Sequence, residues 1–355
     1  MVLRLLLFCQ GVPGLSSAAF RNATRPDPCK QGPGSFFSTH EVFNSVQEKE
    51  SVTVSEAKLA SKQNPTHVSQ IRIGEDCVVG GEQLLIIGGP CTVESVEQME
   101  LVATKLAQAP VQMLRGGVFK PRTSPYSFQG MGDNGLSILS DCSRKHRIPT
   151  VTEVMSPDKV ELVAQHADML QIGSRNMQNF DLLKAAGQVQ TPVMLKRGLS
   201  ATIEEMILAA EYILAHGNPN VILCERGIRS FDTYTRNVLD LGAVVALKQL
   251  THLPVIADPS HAAGKRELVA DLARAAVACG ADGLMIECHP IPEESVSDAR
   301  QALSLEDMIA LVASLRPIAK AVGRSVAEVD QPAVEHRDNI AVLRHPQHAQ
   351  QAARR

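Results

Sequence analysis

The segment Leu114–Gly130, LRGGVFKPRTSPYSFQG, places Arg115, Lys120 and Arg122 within eight residues and contains no acid. Its glycines and prolines break any helical pattern. It reads as a strand end opening into a loop, where three cations sit beside hydroxyl and backbone N–H donors. That combination suits a phosphorylated, multiply charged anion. Further polar side chains close short apolar runs along the chain: Cys91, Glu153, Arg175, Lys196, Arg226, Asp258 with His261, and Glu287. Arg115, Lys120, Arg175, Lys196 and Arg226 are five cations at matching positions, hard to explain as packing because buried unpaired charge is costly. Cys91, His261 and Glu287 offer a thiolate, an imidazole nitrogen and a carboxylate oxygen, a mixed set suited to a divalent Zn, Fe or Mn ion. Cys288 falls on the opposite strand face from Glu287, whereas His289 shares that face and is a rival ligand. A fourth ligand is expected from the following loop, which holds Glu293, Glu294 and Asp298; residue type alone does not choose among them.

The elements that would position these side chains form a rhythm. Eight apolar runs begin at Leu84, Gln112, Pro149, Met169, Pro192, Val221, Pro254 and Gly283, spaced by 20 to 37 residues. Each suits a strand buried on both faces. Amphipathic segments separate them. Ser200 is expected to cap a helix that presents Ile203, Met206, Ile207 and Ala210 on one face and stops at Gly217. Lys265 to Cys279 repeats the pattern and closes at Gly280. Eight alternating units predict an α/β fold, a (β/α)8 TIM barrel, whose strand ends converge on one mouth. An open doubly wound sheet explains less well why polar residues close all eight runs. Residues 71–322 are assigned to the barrel. Residues 1–70 are read as a largely irregular N-terminal extension, with a possible helix around Val52–Lys62, and 323–355 as a flexible C-terminal tail. Arg72–Val79 is expected to hold a short strand.

Composition narrows the function. The 355 residues carry a formal charge of −3, which argues against a nucleic-acid binder, so the basic cluster is local. Tryptophan is absent and there are only three tyrosines, leaving little for stacking on bases. Apolar runs fall short of the roughly 20 residues of a membrane span. The eight cysteines form no CxxC pair and read as reduced thiols of a cytoplasmic protein.

Six segments in fixed order make the reading specific: GPCTVES (Gly89–Ser95), LRGGVFKPRTSPYSFQG, QIGSRNMQNF (Gln171–Phe180), LKRG (Leu195–Gly198), ILCERGIRSF (Ile222–Phe231) and ADPSHAAGKRE (Ala257–Glu267). Together they resemble the 3-deoxy-D-arabino-heptulosonate 7-phosphate synthases, in the branch related to octulosonate 8-phosphate synthases, over about Ile71 to Val322. The resemblance implies a metal-dependent aldol-type condensation of phosphoenolpyruvate with erythrose 4-phosphate, the first step of the shikimate pathway. It implies one divalent ion (Mn, Fe, Zn or Co) held by Cys91, His261, Glu287 and Asp298. Phosphoenolpyruvate would bind Arg115, Lys120, Lys196, Arg175 and Arg226, the last two at its phosphate. Arg122, Thr123 and Ser124 would hold the sugar phosphate, with Asp258 near its hydroxyls. Lys120 is the first candidate for proton transfer and Glu153 the second. KPRTS resembles the erythrose 4-phosphate users rather than an octulosonate 8-phosphate synthase using arabinose 5-phosphate. A non-catalytic phosphosugar-binding regulator is the alternative of another class. A homo-oligomer, dimer or tetramer, is expected. Residues 1–70 resemble no regulatory domain of relatives, implying weak feedback by aromatic amino acids.

Overall fold

A computed structural model describes residues 54, 56–75, 77–122 and 124–328. Readings that fall on 1–53, on Thr123 or on 329–355 lie outside the described residues. Eight parallel strands close into a barrel: β3 (Leu85–Gly89), β4 (Met113–Arg115), β5 (Thr150–Glu153), β6 (Met169–Ile172), β7 (Val193–Lys196), β8 (Val221–Glu225), β9 (Val255–Ala257) and β10 (Gly283–Glu287), which pairs back onto β3. The predicted (β/α)8 barrel is the observed fold, and each predicted apolar run supplies one strand. Helices α1 (Val96–Leu106), α2 (Asp133–His146), α3 (Val160–Ala164), α4 (Phe180–Gly187), α5 (Ile203–Ala215) and α6 (Leu241–Leu250) follow β3 to β8. After β9 come the short α7 (Pro259–Ala263) and then α8 (Arg266–Ala278), and α9 (Leu305–Ala321) follows β10.

Strand alternation sorts the apolar residues into two cores. Leu84, Ile86, Leu114, Leu170, Leu195 and Leu284 face outward into the layer packed beneath the helices, and Cys288 joins them there. Leu85, Ile87, Met113, Val151, Met169, Met194, Ile222, Ile256 and Met285 face inward. The inner core is completed from outside the barrel. An antiparallel hairpin, β1 (Ile71–Ile73) and β2 (Cys77–Val79), inserts Ile71, Ile73, Cys77 and Val79 against those inward residues. Where one strand was expected over Arg72–Val79, two short ones pair and close the barrel's N-terminal end.

Two local readings are corrected. The cap of α5 is Thr202, not Ser200: Glu205 N–H donates to Thr202 Oγ1 at 3.1 Å, and Thr202 N–H donates to Glu205 Oε2 at 2.7 Å. Thr202 has a glutamate three residues on and can form this reciprocal box, whereas Ser200 has Ile203. No helix forms over the described part of Val52–Lys62. The Lys58, Leu59 and Ala60 N–H groups instead donate to the Glu211 carboxylate on α5, and Ser61 bridges to Thr251. Chain also packs on the barrel beyond α9, where Ser325 bridges to Gln83 and Arg324 pairs with Asp282. Among the described residues no helix is long and apolar enough to cross a membrane.

Candidate active site

At the C-terminal mouth the inward face changes character. Arg115, Glu153, Gln171, Lys196 and Glu287 each lie two residues beyond an inward apolar residue and are buried. The next residues point the other way. Arg197 follows Lys196, turns outward and is paired with Glu225 at 2.9 Å and Asp240 at 3.0 Å. That network fixes the loops after β7 and β8 without entering the mouth.

Above this layer lies a cavity of about 550 Å³, within the range of small-molecule sites. Arg115, Lys120, Arg122, Arg175, Lys196 and Arg226 line it, with Ser124 and Glu153. Two further arginines, Arg229 and Arg236, complete eight cations against two carboxylates, Glu153 and Asp298. Arg229 and Arg236 were not singled out from sequence. Arg229 sits three residues after Arg226 inside ILCERGIRSF, so the motif carried a signal. Arg236 had none, because its partners lie more than sixty residues away. Four of the eight, Arg115, Lys120, Lys196 and Arg226, are buried, and like charge gathered this closely suits a polyanionic ligand. Arg226 shows the need most clearly: burial depresses its guanidinium, and its hydrogen bonds go to neutral carbonyls of Gly227 at 3.2 Å and His261 at 3.1 Å.

The loop after β4 reaches the neighbouring strand end through Gly117. Gly117 N–H donates to Cys91 O at 3.2 Å, and a Cβ on Gly117 would stand 2.5 Å from that oxygen. This backbone approach carries Lys120 to Cys91, where its Nζ donates to the carbonyl at 3.0 Å and meets Sγ at 2.9 Å. Arg122 Nε donates to Phe128 O at 3.1 Å within the same loop, leaving the rest of its guanidinium at the cavity. A Cβ on Gly173 would fall 2.0 Å from Glu153 Oε1, so only glycine leaves room for that carboxyl. Burial pushes the Glu153 carboxyl up, against the pull of Lys120, Lys196, Arg175 and Arg115.

At the base of the cavity, which His261 and Asp298 line, Cys91, His261, Glu287 and Asp298 bring their ligand-type atoms within 4.8 Å of one another. Cys91 Sγ is 3.2 Å from Asp298 Oδ2 and 3.9 Å from His261 Nε2, and His261 Nε2 is 3.5 Å from Glu287 Oε2. Of the three acids in the loop after β10, Asp298 alone joins the group. Its backbone adopts a left-handed φ of 57°. Glu293 is turned outward to Arg266, and Glu294 is exposed. His289 stands against Glu94 at 3.5 Å rather than in the group.

Asp258 does not line the cavity. Its carboxylate is buried behind His261 and Lys196, accepting His261 N–H at 2.9 Å, lying 2.8 Å from His261 Nδ1 and pairing with Lys196 Nζ. Burial opposes its ionisation, but His261, Lys196 and Arg115 hold it well below the usual carboxylate range. With Nδ1–H directed to Asp258, the His261 Nε2 lone pair faces Cys91 and Glu287. Burial, with Lys196 and Arg115 nearby, pushes that imidazole down to about 3, so it is neutral and able to ligate. Burial, reinforced by Asp298, raises Glu287 to about 7, and its Oε1 is buried without a hydrogen-bond partner. Burial likewise raises the Cys91 thiol, with Glu287 adding to the effect. An orphaned carboxylate oxygen, a thiol and an oriented neutral imidazole fit a divalent cation, which satisfies all three at once.

A parallel barrel with a cationic mouth over a Cys–His–Glu–Asp group defines a class of barrel enzymes that join phosphorylated anions. The chain belongs to the DAHP synthetase I family, whose model matches residues 54–322. It is 47% identical over 269 residues to the phospho-2-dehydro-3-deoxyheptonate aldolase of Thermotoga maritima, covering 76% of this chain and 79% of that protein. It is 32% identical to the 2-dehydro-3-deoxyphosphooctonate aldolase of Geotalea uraniireducens, over 71% of this chain and 98% of that one. The solved structure of the Thermotoga maritima enzyme superposes with a TM-score of 0.73 at 45% identity, covering 77% of this chain and 79% of the other. A truncated form of that enzyme superposes with a TM-score of 0.71 at 42% identity, over 76% and 99%.

Proposed function

We propose that this enzyme condenses phosphoenolpyruvate with erythrose 4-phosphate and water to give 3-deoxy-D-arabino-heptulosonate 7-phosphate and phosphate, the entry step to aromatic amino acids. The observation that carries the reading is the pairing of one cavity lined by eight cations with a four-ligand group that shares His261 and Asp298 with its lining. Two mutually repelling substrates need that charge to be brought together and oriented.

Arg115, Lys120 and Lys196 receive the enolpyruvate carboxylate, and Arg175 and Arg226 its phosphate. Arg122, Thr123 and Ser124 hold the phosphate of the aldehyde. Asp258, expected at the sugar hydroxyls, has its carboxylate committed to Lys196 and His261, so its role is to position those two groups. Cys91, His261, Glu287 and Asp298 would hold the divalent ion. When bound, that ion supplies Lewis acidity toward the aldehyde oxygen. The enol carbon of phosphoenolpyruvate forms the new C–C bond to the aldehyde carbon. Water adds at C2, and phosphate leaves with cleavage of its C–O bond. Lys120, between the two anion sites, is the proposed proton carrier to the new hydroxyl. Glu153, whose carboxyl is raised by burial, is the second candidate. Six described cysteines are free, in keeping with a cytoplasmic enzyme, and we infer a homo-oligomer as the working state.

A phosphate-release assay tests the reading. Erythrose 4-phosphate should release phosphate from phosphoenolpyruvate, chelation should stop it, and Mn, Fe, Zn or Co should restore it. Faster turnover with arabinose 5-phosphate would assign the octulosonate reaction instead. Binding without phosphate release would make the protein a regulator.

A further inference from the structure

We propose that Gln301 is a positioning residue that braces two acidic members of the Cys91–His261–Glu287–Asp298 group as one unit and so sets its affinity for a divalent metal. The inference rests on the metal reading of that group. Gln301 is 2% exposed, in the loop after β10, and both polar atoms of its side chain are hydrogen-bonded. Its Nε2 donates to Glu287 Oε2 at 2.8 Å. Its Oε1 accepts from Arg236 Nη1 at 3.3 Å, and the same Nη1 donates to Asp298 Oδ1 at 3.0 Å. The chain of contacts therefore runs Glu287, Gln301, Arg236, Asp298, linking a strand-end carboxylate to a loop carboxylate.

The amide orientation follows from chemistry. Glu287 Oε2 lies opposite one end and accepts; Arg236 lies opposite the other and only donates. Of the side chains this length, only an amide offers a donor to the first and an acceptor to the second. The backbone is tied in as well. Gln301 N–H donates to Asp298 O at 3.0 Å, closing the turn in which Asp298 holds its left-handed φ of 57°. Arg236 N–H donates to Ala263 O at 3.0 Å, on the short helix that carries His261. Gln301 and Arg236 together, through side chain and backbone, thus link three of the four ligand-bearing elements. Partners behind metal ligands typically change affinity by about 10- to 100-fold when removed.

The test uses the full-length protein stripped with chelator and titrated with cobalt(II), following the thiolate-to-cobalt absorption band. Cys91→Ser should abolish that band. Gln301→Met keeps the length and removes both hydrogen bonds; it should weaken cobalt(II) binding by about 10- to 100-fold, with the thermal midpoint of the stripped protein unchanged. Gln301→Glu, which sets an oxygen against Glu287 Oε2, should weaken it at least as much. Unchanged cobalt affinity in Gln301→Met overturns the brace while leaving the metal reading intact. A wild-type protein with no Cys91-dependent band overturns the metal reading and the brace with it. Should Gln301→Met not fold, Arg236→Met, at the exposed end of the same bridge, carries the test: a several-fold weaker affinity is expected, and no change overturns the proposal.

Discussion

Along six of the eight barrel strands, a step of two residues toward the C-terminal end exchanges an apolar side chain for a polar one on the same inward face. The pairs are Met113 and Arg115, Val151 and Glu153, Met169 and Gln171, Met194 and Lys196, Ile256 and Asp258, Met285 and Glu287. The lower members, with the β1–β2 hairpin, form a dry core. The upper members are polar, five charged and one the amide Gln171, which donates to Glu153 at 3.3 Å. Four of the lower six are methionine, whose unbranched thioether adapts to irregular surroundings, and Met285 Sδ lies 3.6 Å from Lys196 Nζ. The contrast separates two tasks on single strands. Favourable burial is concentrated in the floor and supports the charge above it, where Arg115 pairs with Glu287 and Lys196 with Asp258 beneath a cavity lined by an excess of cations.

Crossing the two regions gives the largest expected effect. Ile256→Lys puts an unpaired charge in the floor, a penalty of several kcal/mol that rivals the whole stability of a domain. Little folded protein should be recovered, as judged by circular dichroism and gel filtration. Lys120→Ala removes a mouth charge instead. Phosphate release should fall by about a hundred- to a thousandfold or more, with the thermal midpoint held; near-normal turnover would remove Lys120 from the chemistry. Ile222→Ala sharpens the comparison from below. It should cost about 2–5 kcal/mol in denaturant unfolding while kcat per folded molecule stays within about twofold. A matching loss of kcat would show that floor and mouth are not separable. Smallest of the set, Arg122→Ala should raise KM for erythrose 4-phosphate by about tenfold, one half-buried charge-assisted contact, and leave KM for phosphoenolpyruvate alone.

Much of this division was readable before any coordinates. Buried parallel strands are short apolar runs, and polar residues that terminate all eight mark a mouth, so Arg115, Lys196 and Glu287 could be picked out by position. Pairings across long sequence separations could not. The hairpin's role as a floor depends on side chains meeting Met113 and Ile222. Arg236 and Gln301 act only by reaching Asp298 and Glu287. Asp298 was separable from Glu293 only through a family resemblance, because the difference lies in a backbone turn and in Arg266 drawing Glu293 away. The possible helix of Val52–Lys62 is absent from its described residues for a related reason. Its backbone donors are met by Glu211, some 150 residues downstream, so local periodicity had no say.

The β1–β2 hairpin has a kinetic consequence. With the barrel interior filled by the inward apolar residues and the hairpin packed against them, the cavity opens at the mouth. The anion proposed at Arg115 and Lys196 would have to pass the place where Arg122 and Ser124 are proposed to hold the second phosphate, since all four line one cavity. Loading is then first in, last out: an aldehyde that arrives early blocks the passage rather than waiting its turn. High erythrose 4-phosphate should inhibit the enzyme competitively against phosphoenolpyruvate, a traffic rule set by a filled barrel with one mouth.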